Sequence, residues 1–149
     1  MKKLGWILLL VSVAAWGQND KRTAHFNLKK GVALEGYDAV SYFDGKPLEG
    51  KENFKVVYKS VTYLFANAAN AAKFKQTPEK YEPAYGGWCA FAMGDTGEKV
   101  KVDPETFKIL DGKLYLFYNF WGNNTLTSWS KNEVPLKLKG DQNWNKIVQ

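Results

Sequence analysis

The sequence predicts a small single domain of the α+β class, built on two antiparallel β-hairpins and a few short helices. Apolar residues alternate with polar ones over residues 54–58 and again over residues 61–65, which is the period expected of paired strands. Asp111-Gly112, between two apolar runs, indicates a second hairpin. Between the hairpins, Asn67 precedes an alanine-rich stretch, a pattern typical of a capped helix.

The start of the chain has the pattern of a secretory signal. Two lysines at residues 2–3 precede an apolar run over residues 6–15. That run is shorter than the roughly 20 residues that a membrane-spanning helix needs. We therefore expect a signal peptide (1–17), a polar N-terminal arm (18–33) and one domain (34–149). We expect the mature chain to have no membrane anchor and to be periplasmic or secreted.

Composition excludes several classes of protein. Removing 17 of the 149 residues leaves 132, enough for one hydrophobic core. The formal charge falls from +6 to +4 when Lys2 and Lys3 leave, and the remaining lysines are scattered. A nucleic-acid binder normally carries a basic stripe, so we expect no nucleic-acid partner. One cysteine cannot form an internal disulfide, so the fold depends on its core.

The remaining elements follow from local signals. Residues 39–43 are predicted to form a short strand, entered through a turn at Gly36. Residues 68–76 form the capped helix, which Thr77-Pro78 ends, with a further turn through Tyr81.

Later in the chain, residues 83–87 form a tight corner, because the two glycines there adopt backbone angles that other residues avoid. Residues 88–93 are apolar on all sides and should be buried. Residues 120–130 are assigned as helix or ordered loop. Trp144 and Ile147 indicate one helical turn that docks on the body.

Three segments carry a resemblance to a known family: Gly36-Tyr37-Asp38-Ala39-Val40, residues 81–90 with Tyr85-Gly86-Gly87-Trp88-Cys89-Ala90, and residues 111–116. Together they resemble the exported branch of the YHS-domain family, over nearly the whole mature chain. The resemblance implies metal binding through cysteines next to the hairpin. At those positions this chain has Asp38-Ala39 and Ala66-Asn67-Ala68 instead, and Cys89 is its only thiol that matches the family.

Cys89 is therefore the centre of a candidate metal site. On a helix, Cys89 and Met93 would share a face with Cβ atoms roughly 5 to 6 Å apart, and thiolate plus thioether suits Cu(I). On a strand they would lie about 13 Å apart and could not share an ion. His25, the only histidine, is a candidate third ligand. The alternative is that both sulfurs fill core space.

A second candidate site is a small-ligand pocket next to Cys89. Tyr37, Asp38, Tyr85 and Trp88 would give it aromatic walls and one orienting carboxylate, which is a common composition for such sites. The alternative for Asp38 is a turn in which its carboxylate accepts hydrogen bonds from the following backbone amides.

The sequence contains no convincing catalytic constellation. A nucleophilic Cys89 would need a nearby base, and the only histidine is far away in the sequence. We expect an exported binding domain that holds a soft metal ion, such as copper, or another small ligand near Cys89, as a carrier, sensor or accessory protein. The alternative is an envelope protein-interaction module with no metal, in which Cys89 and Met93 are core and the exposed aromatics around Trp121 and Trp129 meet a partner.

Overall fold

The protein is described by a computed structural model over residues 21–149, so the predicted signal peptide lies outside the described residues. These residues contain eight short strands: β1 (Leu28–Lys29), β2 (Val32–Ala33), β3 (Lys51–Tyr58), β4 (Val61–Phe65), β5 (Asp103–Leu110), β6 (Lys113–Phe117), β7 (Asn119–Phe120) and β8 (Asn123–Asn124). They also contain six helices: α1 (residues 21–25), α2 (Ala68–Gln76), α3 (Pro78–Tyr81), α4 (Ala90–Asp95), α5 (Thr125–Lys131) and α6 (Glu133–Val148). The α+β class with two antiparallel hairpins is confirmed.

The first hairpin forms one side of a four-stranded sheet with the order β1-β2-β4-β3, in which β3 is an edge strand. Strands β3 and β4 are antiparallel, with Val56 opposite Tyr63, and β2 pairs with β4 in parallel. The connecting residues Lys59 and Ser60 both have left-handed backbone angles, with φ of 45° and 66°. Two consecutive positive φ values match the twist of the flanking strands, so this two-residue turn forms without glycine.

The predicted strand over residues 39–43 is wrong. Residues Ser41–Asp44 instead form a 3₁₀ helix. The reason is Asp38, whose carboxylate accepts hydrogen bonds from the backbone amides of Val40 (2.9 Å) and Ser41 (3.2 Å). A side chain that bonds the following amides offers the backbone an alternative to strand pairing, so the chain curls here.

The helix after the first hairpin begins as predicted. The Asn67 side chain accepts a hydrogen bond from the Asn70 amide at 2.8 Å, and α2 follows directly. Pro78 is the first residue of α3. A backbone amide at this position has no partner within the helix, so proline is tolerated there. The second predicted hairpin is also present: β5 and β6 pair through Asp111 (φ 51°) and Gly112 (φ 72°).

The C-terminal region differs from the single helical turn predicted there, because α6 runs over 16 residues. Its Pro135 lies in the first turn, where a missing amide donor does no harm. Leu136 and Gly140 are the residues of α6 that are buried. Gly94 of α4 allows a close crossing, since a Cβ at this position would lie 2.9 Å from the carbonyl carbon of Leu136. Residues 120–130, expected to be helix or ordered loop, contain the end of β7, the turn at residues 121–122, β8 and most of α5.

The buried side chains form two clusters. One surrounds Phe74, against which Tyr63 and Phe65 pack with ring centroids 4.6 and 5.0 Å away. The other surrounds Trp129 under α4 and α6. Within residues 21–149, no helix combines the length and the apolar character needed to cross a bilayer.

Candidate functional site

The Tyr85-Gly86-Gly87 corner contacts both the N-terminal segment, at residues 26–27, and the C-terminal helix α6. Tyr85 and Gly86 have left-handed backbone angles, with φ of 54° and 59°. A Cβ on Gly86 would lie 2.8 Å from the Trp144 ring and 3.2 Å from the Cα of Phe26, so only glycine allows this approach. The backbone amide of Asn27 donates a hydrogen bond to the Gly86 carbonyl at 2.9 Å. The corner thus holds the N-terminal segment against α6.

A cavity of about 780 Å³ lies at this junction. Its walls come from the N-terminal segment, the first and second hairpins, the corner and α6: Lys21, Arg22, His25, Phe26, Lys59, Glu82, Pro83, Ala84, Tyr85, Gly86, Lys113, Tyr115, Asp141, Trp144 and Val148. The corner residues and Tyr115 are buried, whereas Lys21, Lys59 and Val148 are exposed. The corner and Tyr115 therefore form the floor of the cavity, and the exposed side chains form its rim.

The lining is positively charged. Four cations (Lys21, Arg22, Lys59 and Lys113) face two carboxylates (Glu82 and Asp141), a formal net charge of +2. Both carboxylates already have protein partners.

Glu82, a buried residue, pairs with the Arg22 guanidinium and accepts a hydrogen bond from the Tyr63 hydroxyl at 2.7 Å. Asp141 accepts from the Tyr85 hydroxyl at 2.9 Å and from the Lys137 ammonium at 3.1 Å. The two acids are therefore occupied in stabilising the fold.

Lys113 is a half-buried cation of this lining with no ion pair among the described residues. Its ammonium donates to the backbone carbonyl of Glu79 at 3.4 Å, a long hydrogen bond. Burial lowers the pKa of Lys113, and the positive charge of Arg22 lowers it further. Two cations that repel each other line the same cavity, which makes this wall attractive to an anion.

The phenols of the floor stay neutral. Burial, followed by the hydrogen bond to Asp141, raises the pKa of Tyr85 well above its ordinary value. Burial likewise raises the pKa of Tyr115. The Tyr85 and Tyr115 rings pack edge to face with centroids 5.8 Å apart. The floor therefore offers ring surface rather than charge.

The structure brings only one of the four predicted ligand residues to this cavity. Tyr85 lines it, whereas Tyr37, Asp38 and Trp88 do not. The Tyr37 hydroxyl donates to Glu105 at 3.2 Å, on a different part of the surface. The Trp88 indole donates to the His25 carbonyl at 2.7 Å and so anchors the N-terminal segment.

Asp38 is fully buried and has four hydrogen-bond donors around it. Besides Val40 and Ser41, its carboxylate accepts from the Ala66 amide at 2.9 Å and from the Asn70 side chain at 2.7 Å. All four donors come from the protein, so the carboxylate has a structural role. Asp38 thus accepts hydrogen bonds from the following backbone amides, as expected for a turn, and also from two residues far along the chain.

The three predicted metal ligands lie in different surroundings. Cys89 and Met93 are both fully buried, but they pack in different core clusters. The Cys89 sulfur accepts a hydrogen bond from the Tyr118 amide at 3.3 Å and contacts the Thr125 hydroxyl at 3.4 Å. Both contacts of the sulfur are therefore with protein groups.

His25 is partly exposed, and its Nδ1 lies 3.1 Å from the Lys99 ammonium. A cation beside this nitrogen disfavours a metal ion there. Within residues 21–149, no group of three or more His, Cys, Asp or Glu side chains is placed to hold a metal ion. Cys89, Met93 and His25 thus lie in separate surroundings, and a metal site shared by them stays a prediction, while His25 lines the cavity.

Two tryptophans expected to be exposed together behave differently. Trp121 is 94% exposed at the tip of the β7–β8 hairpin, whereas Trp129 is fully buried. The exposure expected for Trp129 is wrong, because α5 turns its ring onto Tyr115 and Phe117, with centroids 5.8 and 5.6 Å away.

Sequence reasoning missed most of the cavity lining. Arg22, Lys113, Tyr115 and Trp144 come from four separate stretches and belong to no common motif. The one local signal was the double glycine of the corner, which indicated a sharp turn but not what packs against it.

A comparison of the chain with models of protein families, with curated proteins and with solved structures gives no match. The resemblance to the YHS-domain family therefore rests on the motif residues alone, and any function is argued from the site.

Proposed function

We propose that this protein is an exported, YHS-like binding domain that holds a small ligand in the cavity at the Tyr85-Gly86-Gly87 corner. The observation that carries the proposal is the cavity itself: about 780 Å³, with an aromatic floor and a charged rim. Small-ligand sites typically occupy about 300–1,000 Å³ and combine ring surface with a few polar groups. The proposed role is that of a carrier, sensor or accessory protein.

The cavity is tested by ligand screening with two-dimensional NMR. The chain from residue 18 onward contains the whole described fold and is the sample. A set of ring compounds that are neutral, anionic or cationic is added at millimolar concentration. At least one compound is expected to shift the amide signals of Gly86 and Tyr115 together with the Trp144 indole signal. Absence of any shift at these three positions for the whole set would refute the proposal.

Export is part of the same proposal and has its own test. The full chain is expressed with its N-terminal residues intact, and the protein recovered outside the cytoplasm is analysed by intact-mass spectrometry. Cleavage near residue 18 is expected from the pattern of the first 17 residues. Recovery of uncleaved chain from the cytoplasm alone would contradict export.

A second candidate function is the envelope interaction module. The observation that favours it is Trp121, which is 94% exposed at a tight hairpin tip, while Cys89 and Met93 are both buried. Tryptophan is enriched among the residues that dominate protein interfaces. A partner that co-purifies from envelope extract with the wild type, and is lost with Trp121→Ala, would support this function. Equal recovery of the partner with the wild type and with Trp121→Ala would refute this function.

A further inference from the structure

Of the two inner cations of the cavity, Lys113 has no ion pair among the described residues, and Arg22 is only partly satisfied by its pair with Glu82. The Lys113 ammonium has only the long contact to the Glu79 carbonyl, and Arg22 lies close enough to lower the pKa of Lys113. Arg22 bonds Glu82 through one guanidinium nitrogen, but its Nε is buried without a hydrogen-bond partner in the described part of the chain. An unpaired buried donor and a half-buried ammonium whose one hydrogen bond is long are both unfavourable, so an anion held beside these two side chains would be stabilised.

The outer cations add to this preference. Lys21 and Lys59 lie on the exposed rim of the same cavity. A cleft lined by one sign of charge concentrates ligands of the opposite sign. A cationic ligand would meet the net positive lining, and the two carboxylates that could attract it are already bonded to Arg22 and Tyr85.

The rest of the cavity is apolar and ring-lined. Phe26 and Trp144 pack edge to face, with centroids 6.4 Å apart, and both line the cavity with Tyr115. Their arrangement offers ring faces and edges to a flat molecule. The Phe26 ring is also held in place, because the Arg22 guanidinium lies 4.4 Å above its centroid. The anion-attracting group and the ring surface thus belong to one connected set of side chains.

We propose that the ligand of this cavity is an organic anion with a flat apolar body, whose charged group lies between Lys113 and Arg22 and whose body packs on Phe26, Tyr115 and Trp144. The inference rests on the proposed function and names the ligand class of the same site. A carboxylate is the simplest such group, since it accepts hydrogen bonds from both an ammonium and a guanidinium.

Two probes of almost equal shape separate charge from apolar contact. The probes are 2-naphthoate, which is an anion at neutral pH, and 2-naphthamide, which is neutral. Calorimetry gives the two dissociation constants for the chain from residue 18 onward, and the amide shifts of Gly86 and Tyr115 confirm where each probe lies. Naphthoate is expected to bind at least about tenfold more tightly than naphthamide, the difference of one charge-assisted contact.

Substitution of Lys113 identifies the cation responsible. Lys113→Met keeps most of the side-chain stem and should weaken naphthoate about tenfold while leaving naphthamide unchanged. Lys113→Arg keeps the charge and should retain the preference, which guards against a simple folding defect. Lys46→Met is the matched control, because Lys46 is exposed, lies outside the cavity lining and removes the same net charge. It should change neither affinity.

The outcomes distinguish the two proposals. Equal affinities for the two probes, with both shifting the cavity signals, would overturn the anion inference and leave the binding function standing. An anion preference that survives in Lys113→Met would also overturn it. If neither probe shifts the cavity signals at millimolar concentration, the inference and the proposed function both fail.

Discussion

Replacing Asp38 by asparagine is expected to lower the free energy of unfolding by about 3–6 kcal/mol. The carboxylate accepts four hydrogen bonds, two at each oxygen, while it is completely shielded from solvent. Asparagine keeps one acceptor oxygen and places an amide donor where the other was. Two donors therefore lose their acceptor, and a hydrogen bond to a charged group contributes about 1.5–3 kcal/mol.

The assay is urea unfolding of the chain from residue 18 onward, followed by tryptophan fluorescence. Asn70→Ala removes one donor and leaves the carboxylate in place, so it should cost less, about 1–3 kcal/mol, and remains measurable if Asp38→Asn does not fold. Asp44→Asn is the matched control: Asp44 is exposed and should shift stability by no more than about 0.5 kcal/mol. A loss below about 1 kcal/mol for Asp38→Asn would refute the assigned role.

Three further predictions concern packing, pH and metal. Gly94→Ala should destabilise the protein by about 1–3 kcal/mol in the same urea assay, because the methyl group would press on the Leu136 backbone; a gain, as helix propensity alone favours, would contradict the crossing. Burial raises the pKa of Tyr42 and Tyr63 above the ordinary value of 10.0, so their contribution to stability is present below pH 10 and lost above it. The free energy of unfolding should therefore fall above pH 10 by up to about 1.4 kcal/mol per pH unit for each buried phenol, and the melting temperature should fall with it, less steeply in Tyr63→Phe; identical slopes of melting temperature against pH would contradict this. Cu(I) titration against a chelator should give equal affinities for wild type and Cys89→Ser, because the sulfur is buried; tight binding lost in the variant would restore the metal hypothesis.

Local signals predicted the elements whose cause is local. The Asp111-Gly112 turn and the Asn67 cap are fixed by residues within a few positions, and both are confirmed. The strand expected over residues 39–43 failed because the local hydrogen bonds from the Val40 and Ser41 amides to Asp38 compete with strand pairing. Two further bonds hold the same carboxylate, and they come from residues about 30 positions further along the chain, which no local pattern shows. The length of α6 was missed because its buried contacts with α4 depend on Gly94, a position that looks like a loop in the sequence.

The position of Asp38 explains how the chain can resemble the YHS-domain family without binding a metal ion. In the metal-handling branch that the motifs resemble, thiols stand just before the domain and after the second strand of the hairpin, where this chain has Asp38-Ala39 and Ala66. The structure brings these two places into contact, since the Asp38 carboxylate accepts a hydrogen bond from the Ala66 amide at 2.9 Å. A bound metal ion would join the two segments through thiolates, whereas here a buried carboxylate joins them through backbone amides and Asn70. The protein can then keep the same junction without metal, and the ligand that we propose binds elsewhere, in the cavity at Tyr85-Gly86-Gly87.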